Sequence, residues 1–404
     1  MIDISKVEKA ILEENLSGWL FFNFRHRDPI ADMVLKIDKK STNSRGWFYI
    51  IKGAEGYIKE NIKIIHSVEP DVLKNYPGKT VFYTSKEELK EILKQFAGMT
   101  LAAQADPDLT QISFLDSGTA SILQKAGIKI VSSASLVKKI IGTLDNEQIL
   151  SHEKAAALLY KIIEETWDYL SINFKKNQKI TEKSIQSFII EKFEENNLVS
   201  DSLPLVAFGK NSANPHYKTG ENDFFLEKNS IIQFDIWAKL LTEYAEQADN
   251  EKCVYADISW VGFAGEEPPQ EITKSFNAIK EARDSVIAFI RENLEAGNTV
   301  LGFDADKKAR NILLNRGYKN EIKHRTGHAI DIELHGYGTN LDSVEFPDKR
   351  TLSNGSCFSV EPGLYFKDFG IRTEINCYIQ NNMLYISGGL PQNELLVIQY
   401  PKRR

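Results

Sequence analysis

From residue 357 to residue 379 the chain reads Cys357-Phe358-Ser359-Val360-Glu361-Pro362-Gly363-Leu364-Tyr365-Phe366-Lys367-Asp368-Phe369-Gly370-Ile371-Arg372-Thr373-Glu374-Ile375-Asn376-Cys377-Tyr378-Ile379. Cys357 to Val360 and Ile371 to Ile379 have the composition of buried strands. Glu361 nevertheless follows the first, and Glu374 stands inside the second. A carboxylate among apolar strand residues is expensive to bury unless it is paired or holds a cation. The same oddity occurs upstream. Asp235 interrupts the run Ile231 to Trp237, and Asp257 lies inside Cys253 to Val261. Taken singly, each such Asp is more often an inward-facing hydrogen-bond acceptor or a strand-edge residue than a metal ligand. Four of them call for a common explanation.

Between the two pairs lies His324-Arg325-Thr326-Gly327-His328, followed by His335, so three of the seven histidines fall within twelve positions. Carboxylates joined by an imidazole suit a hard or borderline dication such as manganese, iron, cobalt or zinc. Two such ions sharing carboxylates would also offset the accumulated negative charge.

Asp, Asp, His, Glu, Glu in this order, with Glu361-Pro362-Gly363 at the fourth position, resembles the creatinase/prolidase/aminopeptidase P family of pita-bread metallopeptidases. The likeness runs from about Leu203 to Ile379. It implies an α/β N-terminal domain of the creatinase type over 1–142 and an α+β pita-bread catalytic domain over 143–404. It also implies two divalent metal ions held by Asp235, Asp257, His328, Glu361 and Glu374, with Asp257 and Glu374 bridging. Manganese is the expected metal, with zinc, cobalt or iron as alternatives. His216, in Asn214-Pro215-His216-Tyr217, together with His324 and His335, matches the family's substrate-binding histidines, with catalytic roles beside Glu361 as proton acceptor. Arg372 matches an arginine that orients the carboxylates at the edge of the substrate site. The implied activity is that of an Xaa-Pro aminopeptidase or dipeptidase, acting as a homodimer on peptides with proline at the second position.

The chain departs from the family pattern in places. Asp235 and Asp257 are 22 positions apart, about twice the compact spacing of the family's ligand hairpin, and Ala238 to Lys252 are expected to lengthen the connecting loop. Trp260 stands in place of a common arginine, Ile375 in place of an acidic residue, and Ala329 in place of glycine. Two rival functions share the fold. One is creatinase-type C–N hydrolysis of a small guanidino compound without metal, which leaves the carboxylates no cation to hold. The other is a non-catalytic binding protein, against which the retained ligands and histidines argue.

Further outward, 404 residues exceed one ordinary core and suggest two domains. The first third alternates apolar runs (Trp19 to Phe22, Trp47 to Ile51, Val81 to Tyr83) with amphipathic stretches, as an α/β domain does. Ser85-Lys86-Glu87-Glu88 opens a helix that Gly98 is expected to cap, while Arg25-His26-Arg27-Asp28 reads as a solvated loop. The pattern changes at Gly142. Asp145 caps a long helix, a second helix spans Thr181 to Asn196, Leu203 to Phe208 is a strand, and helices follow near Pro269 to Leu294 and Asp304 to Arg316.

With 50 basic and 56 acidic residues the formal net charge is −6, which offers no broad field to nucleic acid. Cys253, Cys357 and Cys377 form no C-x-x-C pair and are expected to pack in the core. Acidic residues break up the opening MIDISKVEKAILEENL, and no apolar run approaches the roughly 18 residues of a membrane span. The expected location is cytoplasmic, with no membrane partner. The closing Pro401-Lys402-Arg403-Arg404 reads as a solvated tail.

Overall fold

The computed structural model describes residues 3–38, 43–53, 58–220, 223–241 and 252–399. The chain divides into two compact units, 1–142 and 143–404.

The first unit comprises α1 (Ile4–Glu13), β1 (Gly18–Asn23), α2 (Pro29–Leu35), β2 (Trp47–Lys52), β3 (Ile62–His66), β4 (Lys79–Tyr83), α3 (Lys86–Lys94), β5 (Thr100–Ala103), α4 (Ser117–Lys125), β6 (Lys129–Ser132) and α5 (Ala134–Ile141). Its six strands form one mixed sheet in the order β4-β3-β2-β1-β5-β6. Leu20, Phe48, Ile50, Ile64 and Leu101 pack from the sheet against Leu93 of α3 and Leu123 of α4. Burying each such side chain stabilises the fold by roughly 1.5–3 kcal/mol. Ser85 and Glu88 form a capping box at α3, but Gln95 is the C-cap, and Gly98, with φ +81°, turns the chain beyond it. The Arg25–Asp28 cluster also differs from the expected solvated loop. Arg25 and Arg27 are exposed, whereas Asp28 is buried and caps α2 by accepting from the Ala31 N–H at 2.9 Å.

The second unit opens with α6 (Asn146–Lys175), capped by Asp145, then α7 (Glu182–Glu195), capped by Thr181. β7 (Leu198–Val199), β8 (Leu205–Phe208), β9 (Ser230–Leu240), β10 (Tyr255–Ala264) and α8 (Gln270–Glu295) follow, then β11 (Val300–Leu301), α9 (Gly302–Asn315), β12 (Thr351–Leu352), β13 (Cys357–Val360), β14 (Gly363–Tyr365), β15 (Gly370–Arg372), β16 (Ile375–Gln380), β17 (Met383–Ile386) and β18 (Leu396–Ile398). β9 lies antiparallel to β10, and its other edge takes first β7 and then β8. Ile232, Phe234, Ile236 and Ala238 of β9 pack with Leu159, Ile163 and Trp167 of α6. Side chains alternate across a strand, so Gln233, Asp235 and Trp237 occupy the opposite face.

Ala238 to Leu240 belong to strand β9 rather than to the lengthened loop expected for them, and residues 242–251 lie outside the described residues. The run Ile371 to Ile379 is not one strand. β15 pairs with β14 while β16 pairs with β13 and β17, and the break falls at Thr373-Glu374. Among the described residues no helix is long and apolar enough to cross a membrane. The terminal Lys402-Arg403-Arg404 segment lies outside the described residues.

Candidate metal centre

The pairing of β9 with β10 sets Asp235 opposite Ser259 and Asp257 opposite Trp237. The two aspartates are therefore diagonal neighbours on one face, not a direct pair. Asn376 of β16 holds Asp257 by its backbone, its side-chain oxygen accepting from the Asp257 N–H at 2.7 Å and its amide donating to the Asp257 carbonyl at 2.7 Å. The break between β15 and β16 brings Glu374 in beside them, with its N–H donating to the Ser259 carbonyl at 3.0 Å. His328 enters from the segment after α9. Its Nε2 lies 3.5 Å from Asp257 Oδ2 and 3.6 Å from Glu361 Oε1, while Nδ1 is 3.1 Å from the Ala329 carbonyl. Nδ1–H donating to that carbonyl leaves the Nε2 lone pair facing the carboxylates. Ligand atoms of Asp257, His328 and Glu374 all fall within 4.8 Å of one another.

Charge in this cluster is poorly balanced. Arg372, 6% exposed, ion-pairs with Asp235 and donates to Ser259 Oγ at 3.0 Å and Tyr365 Oη at 2.9 Å. No Lys or Arg among the described residues makes an ion pair with Asp257, Glu361 or Glu374. Burial, then the charges of Asp235 and Glu361, push the Asp257 carboxyl well up, and burial and Asp257 do the same to Glu374. Burial would also raise Glu361, but His328, His324 and Arg372 outweigh it and hold that carboxyl below its ordinary range. Burial depresses His328 and His324, against the pull of the Glu361 charge.

Ser259 exposes the imbalance. Its hydroxyl lies 2.6 Å from Asp235 Oδ1 and 3.0 Å from Glu374 Oε2 while accepting from Arg372. One hydroxyl hydrogen cannot serve both carboxylates. Among the described residues, Asp257 Oδ1 and Glu374 Oε1 are buried with no hydrogen-bond partner. Unpartnered carboxylate oxygens on residues clustered with the His328 imidazole fit a divalent cation by donor type and by charge.

A family model described as Metallopeptidase family M24 matches residues 151–381, more than half of the chain. The chain belongs to metallopeptidase family M24. An uncharacterized peptidase of Staphylococcus aureus (strain MRSA252) is 26% identical over 249 residues, covering 61% of this M24 chain and 62% of the relative. The match thus spans less than two thirds of that relative's length. Among solved structures, the dipeptidase PepE of Mycobacterium ulcerans superposes with a TM-score of 0.68 at 18% identity, covering 98% of this chain and 97% of that one. The Xaa-Pro dipeptidase of Bacillus anthracis gives 0.62 at 18% identity, with 98% of each chain covered. These likenesses show the two-domain pita-bread fold.

The outer histidines of the M24 chain are placed unequally. His324 Nε2 is 2.9 Å from Tyr365 Oη, within the Arg372 network. The His335 ring centroid lies 4.4 Å from that of His328, and this neighbour together with burial lowers its imidazole to about 4. His216 is exposed on a loop anchored by Tyr217 Oη donating to Glu182 at 2.7 Å. The His216 ring makes no hydrogen bond or ring contact among the described residues, although the carbonyl of its neighbour Pro215 accepts from Arg372 at 3.4 Å. Arg372, expected to bind substrate, donates to Ser259, Pro215, Tyr365 and Asp235 in the structure. Ser259, Tyr365 and Asn376 escaped the sequence reading because they are uncharged. For Ser259 a signal did exist, a polar residue two after Asp257 and so on the same strand face.

Proposed function

We propose that this chain is a dinuclear metal-dependent exopeptidase that hydrolyses the bond between an N-terminal residue and a following proline. The pair of buried, unpartnered oxygens, Asp257 Oδ1 and Glu374 Oε1, carries the reading. Asp235, Asp257, His328, Glu361 and Glu374 would hold the ions, and the oxygen-rich donor set with one imidazole favours manganese, with zinc, cobalt or iron as alternatives. Four carboxylates against the Arg372 guanidinium leave a net of three negative charges, which two dications offset with one positive charge to spare. When bound, the ions supply Lewis-acid polarisation of the scissile carbonyl and a lowered pKa for water.

The remaining steps belong to side chains. Glu361, held ionised by His328, His324 and Arg372, accepts the proton of the attacking water and passes it to the leaving nitrogen. His335, its imidazole lowered to about 4, can donate an N–H to the substrate carbonyl as negative charge develops, while His324, with Nδ1 2.6 Å from the Arg325 carbonyl and Nε2 2.9 Å from Tyr365 Oη, would border the substrate through that network. His216 would meet the substrate from the exposed loop. Arg372 and Ser259 keep Asp235 and Glu374 oriented. Preference for proline rests on kinship with proteins such as the Xaa-Pro dipeptidase of Bacillus anthracis. A homodimer working in the cytoplasm completes the reading.

The deciding experiment is a manganese-reconstituted assay on Xaa-Pro dipeptides, longer Xaa-Pro peptides and matched peptides without proline, with light scattering on the same sample. Cleavage before proline is expected, abolished by chelation. A protein that takes up no stoichiometric divalent metal, or cleaves without it, would refute the proposal.

A further inference from the structure

On the carboxylate face of β9 and β10 the cross-strand pairs run Asp235 with Ser259, Trp237 with Asp257, and Lys239 with Tyr255. Directly paired residues sit about 5 Å apart at Cβ, so the Trp237 indole is the next group along the sheet from the carboxylate cluster. It is only half-buried. It packs against the buried cluster that contains Val254, Tyr255 and Ile330. Its Nε1 donates to Asp201 Oδ1 at 3.0 Å, in the segment between β7 and β8. The Asp201 charge is felt at both Asp257 and His335, so indole and carboxylate lie within electrostatic reach of a candidate ligand and of a substrate-facing histidine. Lys239, next on the same face, is committed elsewhere, donating to the Ile332 carbonyl at 3.0 Å and lying 4.9 Å from the Tyr255 ring centroid.

A large aromatic ring fixed by a hydrogen bond at its edge loses little freedom when a ligand packs on it, and this is what a preorganised apolar wall requires. A peptide's amino group, a cation or a metal ligand, would be drawn to the carboxylate cluster, and Asp235 lies two residues before Trp237 on the same strand face. We infer that Trp237, held in place by Asp201, is the wall against which the side chain of the substrate's N-terminal residue packs, selecting large apolar and aromatic side chains over small ones. Trp237 is thereby a specificity-determining residue and Asp201 a positioning residue. This inference rests on the peptidase reading above.

The test compares wild type, Trp237→Phe, Trp237→Ala and Asp201→Asn, each loaded with manganese. Two ratios are read: affinity for L-leucinamide over glycinamide by calorimetry, and kcat/KM on Leu-Pro over Gly-Pro. Wild type favours leucine in both. Trp237→Ala is expected to lower each ratio about tenfold, the worth of a modest apolar contact. Trp237→Phe should keep most of the preference, and Asp201→Asn should fall between. A merely structural indole would lower thermal stability and leave the ratios alone, so unchanged ratios in Trp237→Ala, or no leucine preference in wild type, would overturn the inference. If wild type cleaves neither dipeptide yet binds leucinamide preferentially, and Trp237→Ala loses that preference, the inference stands and the peptidase reading falls.

Discussion

Glu361 and Ser259 make different demands on the same cluster, and substitution separates them. Of Asp257, Glu361 and Glu374, Glu361 is the one carboxyl that its surroundings lower, because the charges of His328, His324 and Arg372 act on it. Glu361→Gln keeps the shape and removes the proton acceptor. Its kcat on an Xaa-Pro dipeptide is expected to fall at least about 100-fold, with circular dichroism and melting midpoint little changed. Retention of most turnover would exclude Glu361 as the base. Ser259 touches Asp235, Glu374 and Arg372 but carries no charge. Ser259→Ala should weaken metal affinity roughly 10- to 100-fold, as loss of a group orienting ligands does. Ser259→Thr keeps the hydroxyl and should restore most of the affinity in a manganese titration. Equal loss in both variants would mean that side-chain bulk at this position, not the hydroxyl, governs the site. At this scale the charged residues of the site were legible, because a carboxylate in an apolar run is costly wherever it occurs. The uncharged hub was not, since serine in a strand carries no comparable cost.

At the level of elements, some helix starts were legible and tertiary breaks were not. Asp145 announces α6, and the alternation of Ile232, Phe234 and Ile236 with Gln233 and Asp235 announces the two faces of β9. The break between β15 and β16 has no local signal. It is imposed by buried Arg283 of α8, which donates to Thr373 Oγ1 at 3.0 Å, and by the Glu374 N–H on the Ser259 carbonyl. The cap of α2 was missed for a related reason, since Asp28 follows three polar residues yet is buried. Burial, and secondarily the charge of Asp32, raises its carboxyl to about 7. The unfolded chain releases this proton near 3.8, while the folded unit keeps it until about 7, so stability falls as pH rises from about 4 to 7 and is level above. Three pKa units correspond to at most about 4 kcal/mol. Asn caps a helix as well as Asp and does not titrate. Asp28→Asn should therefore melt near wild type at pH 4.5 and well above it at pH 7.5. A gap that does not change with pH would show that Asp28 is ionised throughout.

For the whole molecule, the decisive asymmetry is that every candidate ligand lies in the unit spanning 143–404, while the unit spanning 1–142 contributes none. Without cations, Asp257, Glu361 and Glu374 repel one another across a buried cluster, and the raised carboxyls of Asp257 and Glu374 record the cost. A cation that binds only the folded cluster stabilises that unit by RT ln(1 + [L]/Kd), about 2.7 kcal/mol at a hundred times Kd. Amides that exchange through global opening of a unit report its stability directly. Manganese added to chelated protein should therefore slow hydrogen exchange about 100-fold for core amides of β9, β10, β13 and β16. Core amides of β1, β2 and β5 in the first unit should be unaffected wherever they open independently. Glu374→Gln removes one charge and one of the unpartnered oxygens. In this variant the protection should shrink and appear only at higher metal concentration. Protection of equal size in both units would mean that they open as a single cooperative body. An effect absent from β9 and β10 would place the cation elsewhere and remove the physical basis for reading these five residues as one centre.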